Sequence, residues 1–197
     1  MRRMVCALTV SLATAAALVL TASSASAWQC DFLTGGGFIM TTASHTHPLD
    51  KANFAIAGGC KKNVPDQHGP FWGHLEYIDH NTGLNVHWET ITAYIEYSTN
   101  TDGQQPTGAR IICGTARTNQ PYGDVYFKVF AEDKGEPGKD DVFIIRLKDV
   151  AGGMIVYTTE GDDNQTLGGG GPGGGNIQLH ANNPSNVGDF GGVCLAE

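Results

Sequence analysis

Alternation of apolar and polar residues is the feature that most constrains the fold of this chain. It recurs in short segments bounded by glycine, proline, asparagine or aspartate, and none of them continues as a helical repeat over three turns. Because successive side chains of a strand point to opposite faces, the pattern predicts β-strands. The predicted strands are Gly37–Thr42, Ala52–Gly58, Gly73–His80, Asn85–Tyr97, Ala109–Ala116, Val125–Ala131, Val142–Lys148, Met154–Thr159 and Asn176–Ala181. Such a series is typical of a sandwich or barrel, and we expect an all-β antiparallel β-sandwich of roughly eight to ten strands.

One hairpin is distinct within this series. The alternating segments His74–His80 and Leu84–Trp88 are separated by Asn81-Thr82-Gly83, and Gly83 can adopt the positive φ that a tight turn needs. Later, a run of glycines after Leu167 predicts a flexible loop or a close approach of backbones.

The amino terminus predicts a secretory signal peptide of residues 1–27. Two arginines precede an apolar run from Val5 to Leu20, and Ala25-Ser26-Ala27 supplies the small residues that signal peptidase requires. We expect cleavage before Trp28, which leaves residues 28–197 as a single domain. No later segment approaches the ~20 apolar residues of a membrane helix, so membrane insertion is not expected and the protein is expected to be secreted.

The net charge limits the expected partners. The signal peptide carries two of the 12 basic residues and none of the 20 acidic ones, so the remaining chain has a formal net charge of −10. Binding to nucleic acid depends on lysine and arginine meeting phosphate, so this charge argues against nucleic acid. Divalent cations, an extracellular polysaccharide or a surface protein remain as partners.

Four cysteines remain after cleavage, and they predict two disulfides in an exported chain. Four cysteines allow three pairings. We favour Cys30 with Cys194, which would tie the termini together, and Cys60 with Cys113, which would join neighbouring strands. A closed loop of the first kind would stabilise the fold by roughly 4 kcal/mol.

Several segments carry a resemblance to a known family. Two are distinctive, namely Asp79-His80-Asn81-Thr82-Gly83-Leu84-Asn85-Val86-His87 and Asp133-Lys134-Gly135-Glu136-Pro137-Gly138. The others are Thr34-Gly35-Gly36-Gly37-Phe38-Ile39, Lys51-Ala52-Asn53-Phe54, Asp141-Val142-Phe143-Ile144-Ile145-Arg146-Leu147 and Gly175-Asn176-Ile177-Gln178-Leu179-His180. In order they span nearly all of Thr34 to His180, and the chain resembles the post-COAP domain family of secreted bacterial proteins.

The resemblance implies an exported β-sandwich module without an established catalytic activity. Members of that family are usually accessory parts of larger surface or matrix proteins. Unlike those members, this chain is expected to stand alone, and it carries four cysteines after cleavage. Both departures put an anchoring role in doubt.

The histidines are the first candidates for chemistry. Six of the seven lie between His45 and His87. His80 and His87 flank the hairpin, so they can face each other across it, while His45 and His47 can point two imidazoles in one direction. These four residues are candidate copper or zinc ligands. Alternatively, His80 and His87 form hydrogen bonds across the hairpin and pack beside Trp88.

An acidic loop is the second candidate. Asp133, Glu136, Asp140 and Asp141 lie together with turn-forming glycines and a proline between two apolar segments. Oxygen ligands on a turning backbone suit calcium, although the spacing is not that of an EF-hand. The alternative is a solvated acidic hairpin loop.

Catalytic motifs do not stand out. The sequence has no Gly-x-Ser-x-Gly segment and no recognisable order of nucleophile, base and acid. Glu76, Glu89 and Glu96 on adjoining strands are the candidates for a carboxylate pair, but outward carboxylates on a sheet are usually solubilising.

Aromatic residues supply a third candidate site. Tyr77, Trp88 and Tyr94, together with Trp72 and Tyr97, can line a sheet face that stacks against sugar rings. The sequence as a whole favours an extracellular binding or structural module without catalytic activity. Two alternatives remain, a small copper- or zinc-dependent extracellular enzyme built on the histidines and a carbohydrate-binding module.

Overall fold

The computed structural model of the protein describes residues 30–41, 50–61, 70–162, 165–183 and 188–197. The predicted signal peptide and the candidate ligands His45 and His47 lie outside the described residues. Those predictions are therefore untested.

The described chain forms ten β-strands in one antiparallel sheet, as the alternation predicts. Their bounds are β1 Phe32–Thr41, β2 Asp50–Cys60, β3 Phe71–Asp79, β4 Leu84–Asn100, β5 Thr107–Thr118, β6 Asp124–Asp133, β7 Val142–Asp149, β8 Ile155–Thr158, β9 Gly175–His180 and β10 Gly191–Gly192. The strand order is β8-β7-β6-β5-β4-β3-β2-β1-β9, and β10 pairs with β4. A short 3₁₀ turn covers Leu167–Gly170, and no helix in the described ranges has the length and apolar character needed to cross a membrane.

The single sheet folds over itself at β4 and forms the predicted sandwich. Strand β4 carries three bulges against β5, and bulges increase the local bend and twist of a strand. The inner faces of the two layers meet in aromatic contacts. Phe54 of β2 stacks on Phe143 of β7 with ring centroids 4.0 Å apart, and Tyr77 of β3 meets Tyr157 of β8 edge-on at 5.7 Å.

Two buried carboxylates close the sandwich at β9. One edge of β9 pairs with β1, while the N–H groups of Ile177 and Leu179 donate to Asp141 Oδ2 (2.8 Å) and Asp133 Oδ2 (2.7 Å). The other oxygen of each carboxylate accepts a backbone N–H of the β6–β7 loop. Side chains, in place of a neighbouring strand, therefore satisfy this edge of the sheet.

The glycine-rich segment brings backbones together, which confirms one of the two predictions made for it. A Cβ built on Gly174 would lie 2.1 Å from the Gly168 nitrogen, and one built on Gly37 would lie 2.2 Å from the Gly174 carbonyl oxygen. Gly168 also has a φ of 64°, which glycine adopts without strain. These positions require glycine because no side chain fits between the backbones.

The structure confirms two disulfides, but the favoured pairing is wrong. Cys30 bonds Cys60 and Cys113 bonds Cys194, with Cα–Cα distances of 5.8 and 5.3 Å. Antiparallel pairing of β1 with β2 places Phe32 opposite Gly59 and so brings Cys30 beside Cys60. Strands β3 and β4 separate β2 from β5, so Cys60 and Cys113 are not on neighbouring strands.

Candidate functional site

A cleft of about 260 Å³ lies where β3 and β4 separate. Their pairing extends from Asp79 opposite Leu84 to Glu76 opposite His87. Beyond that point β3 stays paired with β2, whereas β4 bulges along β5 and takes β10 as a further neighbour. The cleft therefore results from the bend of β4, which also folds the sheet into two layers.

Two indoles and two apolar side chains dominate the lining of this cleft. Trp72 and Phe71 come from β3, and Trp88 and Ile91 come from β4. Phe71 and Ile91 are buried, whereas both tryptophans keep part of their surface accessible. Indole faces in a concave site can stack on flat apolar surfaces of a ligand.

Polar groups complete the lining of the cleft. Lys61 lies at one side, and its backbone N–H donates to the Pro70 carbonyl oxygen at 2.6 Å. Thr90 also lines the cleft, with its hydroxyl 2.7 Å from that of Thr115 on β5. Polar residues beside two tryptophans can fix the orientation of a ligand that carries hydroxyl groups.

Further rings continue from Trp72 along the outer face of the sheet. The ring centroids of Trp72 and Phe32 are 6.0 Å apart, and Phe32 stacks on His180 at 4.4 Å. Gly59 pairs with both Phe32 and Trp72, and a Cβ there would come within 3.0 Å of both side chains. Glycine at this position thus allows the rings to approach.

A buried ion pair lies on the inner side of the same region. Arg110 has no exposed surface, and Asp31 is 8% exposed. The guanidinium donates to both oxygens of Asp31, with Nε 3.0 Å from Oδ1. The Tyr94 hydroxyl donates to Asp31 Oδ1 at 2.9 Å. Hydrogen bonds therefore join side chains from β4, β5 and the start of the described chain.

All five N–H groups of Arg110 are used. Besides Asp31, the guanidinium donates to the carbonyl oxygens of Ser98 and Ala109 and to Thr99 Oγ1, at 2.5, 2.7 and 2.8 Å. Burial alone would lower the pKa of Arg110, but its hydrogen bonds and charge pairing with Asp31 outweigh this effect and raise the pKa. Burial also raises the pKa of Tyr94. Arg110 is therefore charged at neutral pH, and its bonds to Asp31 and to the backbone serve structure.

The structure does not bring His80 and His87 face to face. His87 lies opposite Glu76, and its Nδ1 is 2.5 Å from the Glu76 carboxylate. His80 follows β3 in the turn, and its Nε2 is 2.8 Å from Asn53 Oδ1. Within the described ranges, no three His, Cys, Asp or Glu side chains converge as metal ligands.

The four side chains of the acidic loop likewise make separate contacts. Asp133 and Asp141 are buried in the closure at β9, Glu136 accepts a hydrogen bond from Asn176, and Asp140 pairs with Lys139. Calcium would compete with the backbone donors for the Asp133 and Asp141 oxygens. Calcium binding stays a prediction that this geometry does not favour.

The predicted aromatic face is wrong for two of its members. Tyr77 and Tyr94 have no exposed surface, and their hydroxyls bond Tyr157 and Asp31 in the interior. Burial raises the pKa of Tyr77 as well as that of Tyr94. Of the other members, Trp88 and Trp72 line the cleft, and Tyr97 is exposed elsewhere on β4.

Sequence reasoning missed the ion pair of Arg110 and the contribution of Phe32. Alternation in β5 places Arg110 on the same face as Ile112 and Ala116, and a charge on a buried face requires a partner. That signal was present in the sequence. No feature of the sequence indicated that Asp31 is the partner of Arg110, because the position of Asp31 depends on the long-range pairing of β1.

Comparison of this chain with protein-family models, curated proteins and solved structures gives no match. The resemblance to the post-COAP domain family therefore stays a prediction.

Proposed function

We propose that this chain is an extracellular binding module without catalytic activity, which holds a neutral polysaccharide in the Trp72–Trp88 cleft. The observation that carries the proposal is the pair of accessible indoles in a concave site. Two disulfides and the predicted signal peptide support an extracellular location.

The size and lining of the cleft support a sugar as occupant. A volume of about 260 Å³ is small for a peptide helix and accommodates a ring-shaped unit of a chain. The C–H faces of a sugar ring pack on indoles, while its hydroxyls can meet Lys61 and Thr90. Residues of both kinds line the same cleft.

The charge of the protein supports a neutral chain. Residues 28–197 carry a formal net charge of −10, which repels polyanions at long range. One lysine in the cleft lining does not offset this field. Neutral glucans, xylans and mannans are therefore the first probes.

The test is affinity electrophoresis of residues 28–197 in gels that contain soluble β-glucan, xylan or mannan. We expect at least one polysaccharide to retard the protein, and Trp72→Ala to abolish the retardation. Tyr97→Ala is the matched control, because it removes an aromatic ring that is 67% exposed elsewhere on β4. Circular dichroism and thiol counting would check that each variant folds and keeps both disulfides.

Two outcomes would overturn the proposal. One is unchanged mobility of the folded protein in all the neutral polysaccharides. The other is equal retardation of Trp72→Ala and the unsubstituted protein, which would show that the cleft is not the binding site.

The metal-dependent enzyme remains the alternative that the histidines predict. It requires ligands from His45 and His47, which lie outside the described residues, together with His80 or His87. Stoichiometric copper or zinc in protein purified without chelators or a histidine tag would favour that alternative.

A further inference from the structure

A second cavity, of about 360 Å³, lies beside the buried ion pair. The end of β4 contributes Thr99, the β4–β5 turn contributes Thr101 and Gln104, and the segment after β9 contributes Asn182. Asp31 also lines the cavity. None of the lining residues is shared with the Trp72–Trp88 cleft. The cavity is therefore distinct from the cleft.

We propose that this cavity is a binding site for a neutral hydroxylated ligand, with a single sugar unit as the chemical class. The inference does not depend on the proposed function of the cleft. It rests on the polar lining, on the charge balance around Asp31 and on the fixed position of its carboxylate.

The polar part of the lining disfavours a purely apolar ligand. Thr101 offers a hydroxyl, Gln104 an amide and Asp31 a carboxylate, beside the apolar surface of Pro106 and Ala181. The Thr99 hydroxyl is already bonded to Glu96 and Arg110. An apolar molecule would cover these groups without offering hydrogen bonds, which is costly for each group. A ligand with several hydroxyls can donate to and accept from them at once.

The charge balance disfavours an anionic ligand. Asp31 is the charged side chain of the lining, and it is already paired with Arg110. An anion entering the cavity would meet the Asp31 carboxylate first. It would also find every guanidinium N–H of Arg110 already donated to Asp31, Ser98, Ala109 or Thr99.

The Asp31 carboxylate is positioned in advance for a hydroxyl donor. Oδ1 accepts from Arg110 Nε and from the Tyr94 hydroxyl, whereas Oδ2 accepts from Arg110. A carboxylate oxygen has two lone pairs, so Oδ2 keeps an acceptor position. The Asp31 side chain is 12% exposed, and its accessible part is available to the cavity that it lines. Binding to such a fixed acceptor requires little ordering of the protein.

The test is a titration of ¹⁵N-labelled residues 28–197 with methyl glucoside, methyl galactoside, methyl mannoside and N-acetylglucosamine. We expect one of these sugars to shift the backbone amide signals of Thr101, Gly103 and Asn182 in a saturable manner at up to about 100 mM. The double variant Thr101→Val with Gln104→Ala should raise the Kd about tenfold or more, since both side chains line the cavity. Both positions lie in the turn outside β4 and β5, so folding is expected to be retained.

Trp72→Ala separates this inference from the proposed function. It should leave the shifts at the cavity unchanged, whatever it does to polysaccharide binding. Sugar binding that Trp72→Ala removes and the cavity variant does not would locate the sugar in the cleft and overturn the inference.

Two further results would also overturn it. The first is the lack of saturable shifts at the cavity with all four neutral sugars in a protein whose spectrum shows the native fold. The second is tighter binding of glucuronate than of methyl glucoside, which would mean that an anion reaches Arg110.

Discussion

Arg110 and Asp31 form a buried pair whose hydrogen-bonding groups come from distant parts of the chain. Arg110 belongs to β5, Tyr94 belongs to β4, and Asp31 precedes β1. Removing two charges from water is costly, and the attraction between them compensates only when the geometry is good and the remaining groups are bonded. Here every guanidinium donor has an acceptor. The pair therefore depends strongly on each partner.

We expect Arg110→Met to lower the free energy of unfolding by about 3 to 5 kcal/mol, because Asp31 is then left as an unpaired buried charge. Adding Asp31→Leu should recover part of this loss, since neither charge remains. Guanidinium chloride unfolding of both variants would measure the difference.

Arg117→Met is the matched control for that experiment. Arg117 pairs with Glu89 at 3.0 Å, but the two side chains are 62% and 41% exposed, so the loss should be below about 1 kcal/mol. Equal losses for Arg110→Met and Arg117→Met would contradict the assigned role of the buried pair.

Asp141 gives a prediction about pH. Burial raises its pKa from 3.8 to about 6, although N–H groups of Ile177 and Lys134 oppose the shift, and the Asp133 and Glu136 charges add to it. Because the native state holds this proton more tightly than the unfolded state, the resulting stability is fully present below pH 3.8 and is lost as the pH rises through about 6.

Asp141→Asn removes this titration. We subtract the unfolding free energy of the variant from that of the original protein. This difference should fall by up to about 1.4 kcal/mol per pH unit between pH 3.8 and about pH 6. Urea unfolding between about pH 4 and about pH 7 would measure it. A difference that is constant or rises with pH would contradict the raised pKa.

The sequence shows which single residues are unusual, but not where their partners lie. Alternation alone places Arg110 on an inner face, and it also places Tyr77 and Tyr94 there. We predicted the two tyrosines as a ligand face because aromatic rings are common both in cores and in binding sites. Their hydroxyl partners, Tyr157 and Asp31, distinguish the two cases, and these partners become visible only in the folded chain.

Strand β1 lies so close to the residue before β9 that the adjacent Gly36 and Gly37 have different roles. The Cβ of an alanine at position 37 would lie 2.2 Å from the Gly174 carbonyl oxygen, whereas at Gly36 the nearest atom lies at 3.6 Å. The Gly174 oxygen also accepts the Phe38 N–H at 2.8 Å. Only the first position is therefore sterically restricted.

We expect Gly37→Ala to destabilise the protein by about 1 to 3 kcal/mol, because the new methyl group must displace backbone atoms. Gly36→Ala should be neutral or slightly stabilising, since alanine loses less conformational entropy on folding. Thermal unfolding and amide hydrogen exchange of β9 would compare the two. A larger loss for Gly36→Ala would show that crowding at Gly174 is not decisive.

Strand positions follow from the sequence to a useful extent, because each segment alternates regardless of its neighbours. Strand β4 extends to Asn100, beyond the predicted end at Tyr97. Its three bulges could not be located from the sequence, because each bulge interrupts the alternation on which the prediction depends. Strand β10 consists of Gly191 and Gly192, which have no side chains to alternate. The cleft depends on these two elements, so the sequence alone did not reveal it.

The two disulfides fix different parts of the fold. Cys30–Cys60 joins the start of β1 to the end of β2, with a separation of 30 residues along the chain. Cys113–Cys194 spans 81 residues and joins the C-terminal segment to β5. Gly191 and Gly192 of that segment pair with β4 beside the cleft. The second disulfide thus supports the region that forms the candidate site.

We expect Cys113→Ser with Cys194→Ser to cost about 4.5 kcal/mol and Cys30→Ser with Cys60→Ser about 3.6 kcal/mol, since a longer loop constrains the unfolded chain more. The first variant should also weaken polysaccharide binding, because β10 is released. Denaturant unfolding and affinity electrophoresis would measure both effects. A larger loss for the shorter loop would contradict this ranking.

The pairing of the cysteines illustrates the limit of sequence reasoning at this scale. The number of cysteines predicts two disulfides, but the pairing depends on which strands are neighbours. Joining the termini was a reasonable expectation for a sandwich. The pairing of β1 with β2 instead places Cys30 beside Cys60.

The closure at β9 also has a consequence for aggregation. Edge strands can recruit other molecules into fibrils through their unpaired N–H groups. Asp133 and Asp141 occupy the N–H groups of Ile177 and Leu179, so an incoming strand would have to displace two buried carboxylates. At the opposite end of the sheet, β8 follows Met154 (67% exposed) and begins with Ile155 (52% exposed). Growth of intermolecular sheets should therefore start at β8, and charged substitutions there would act as gatekeepers against it.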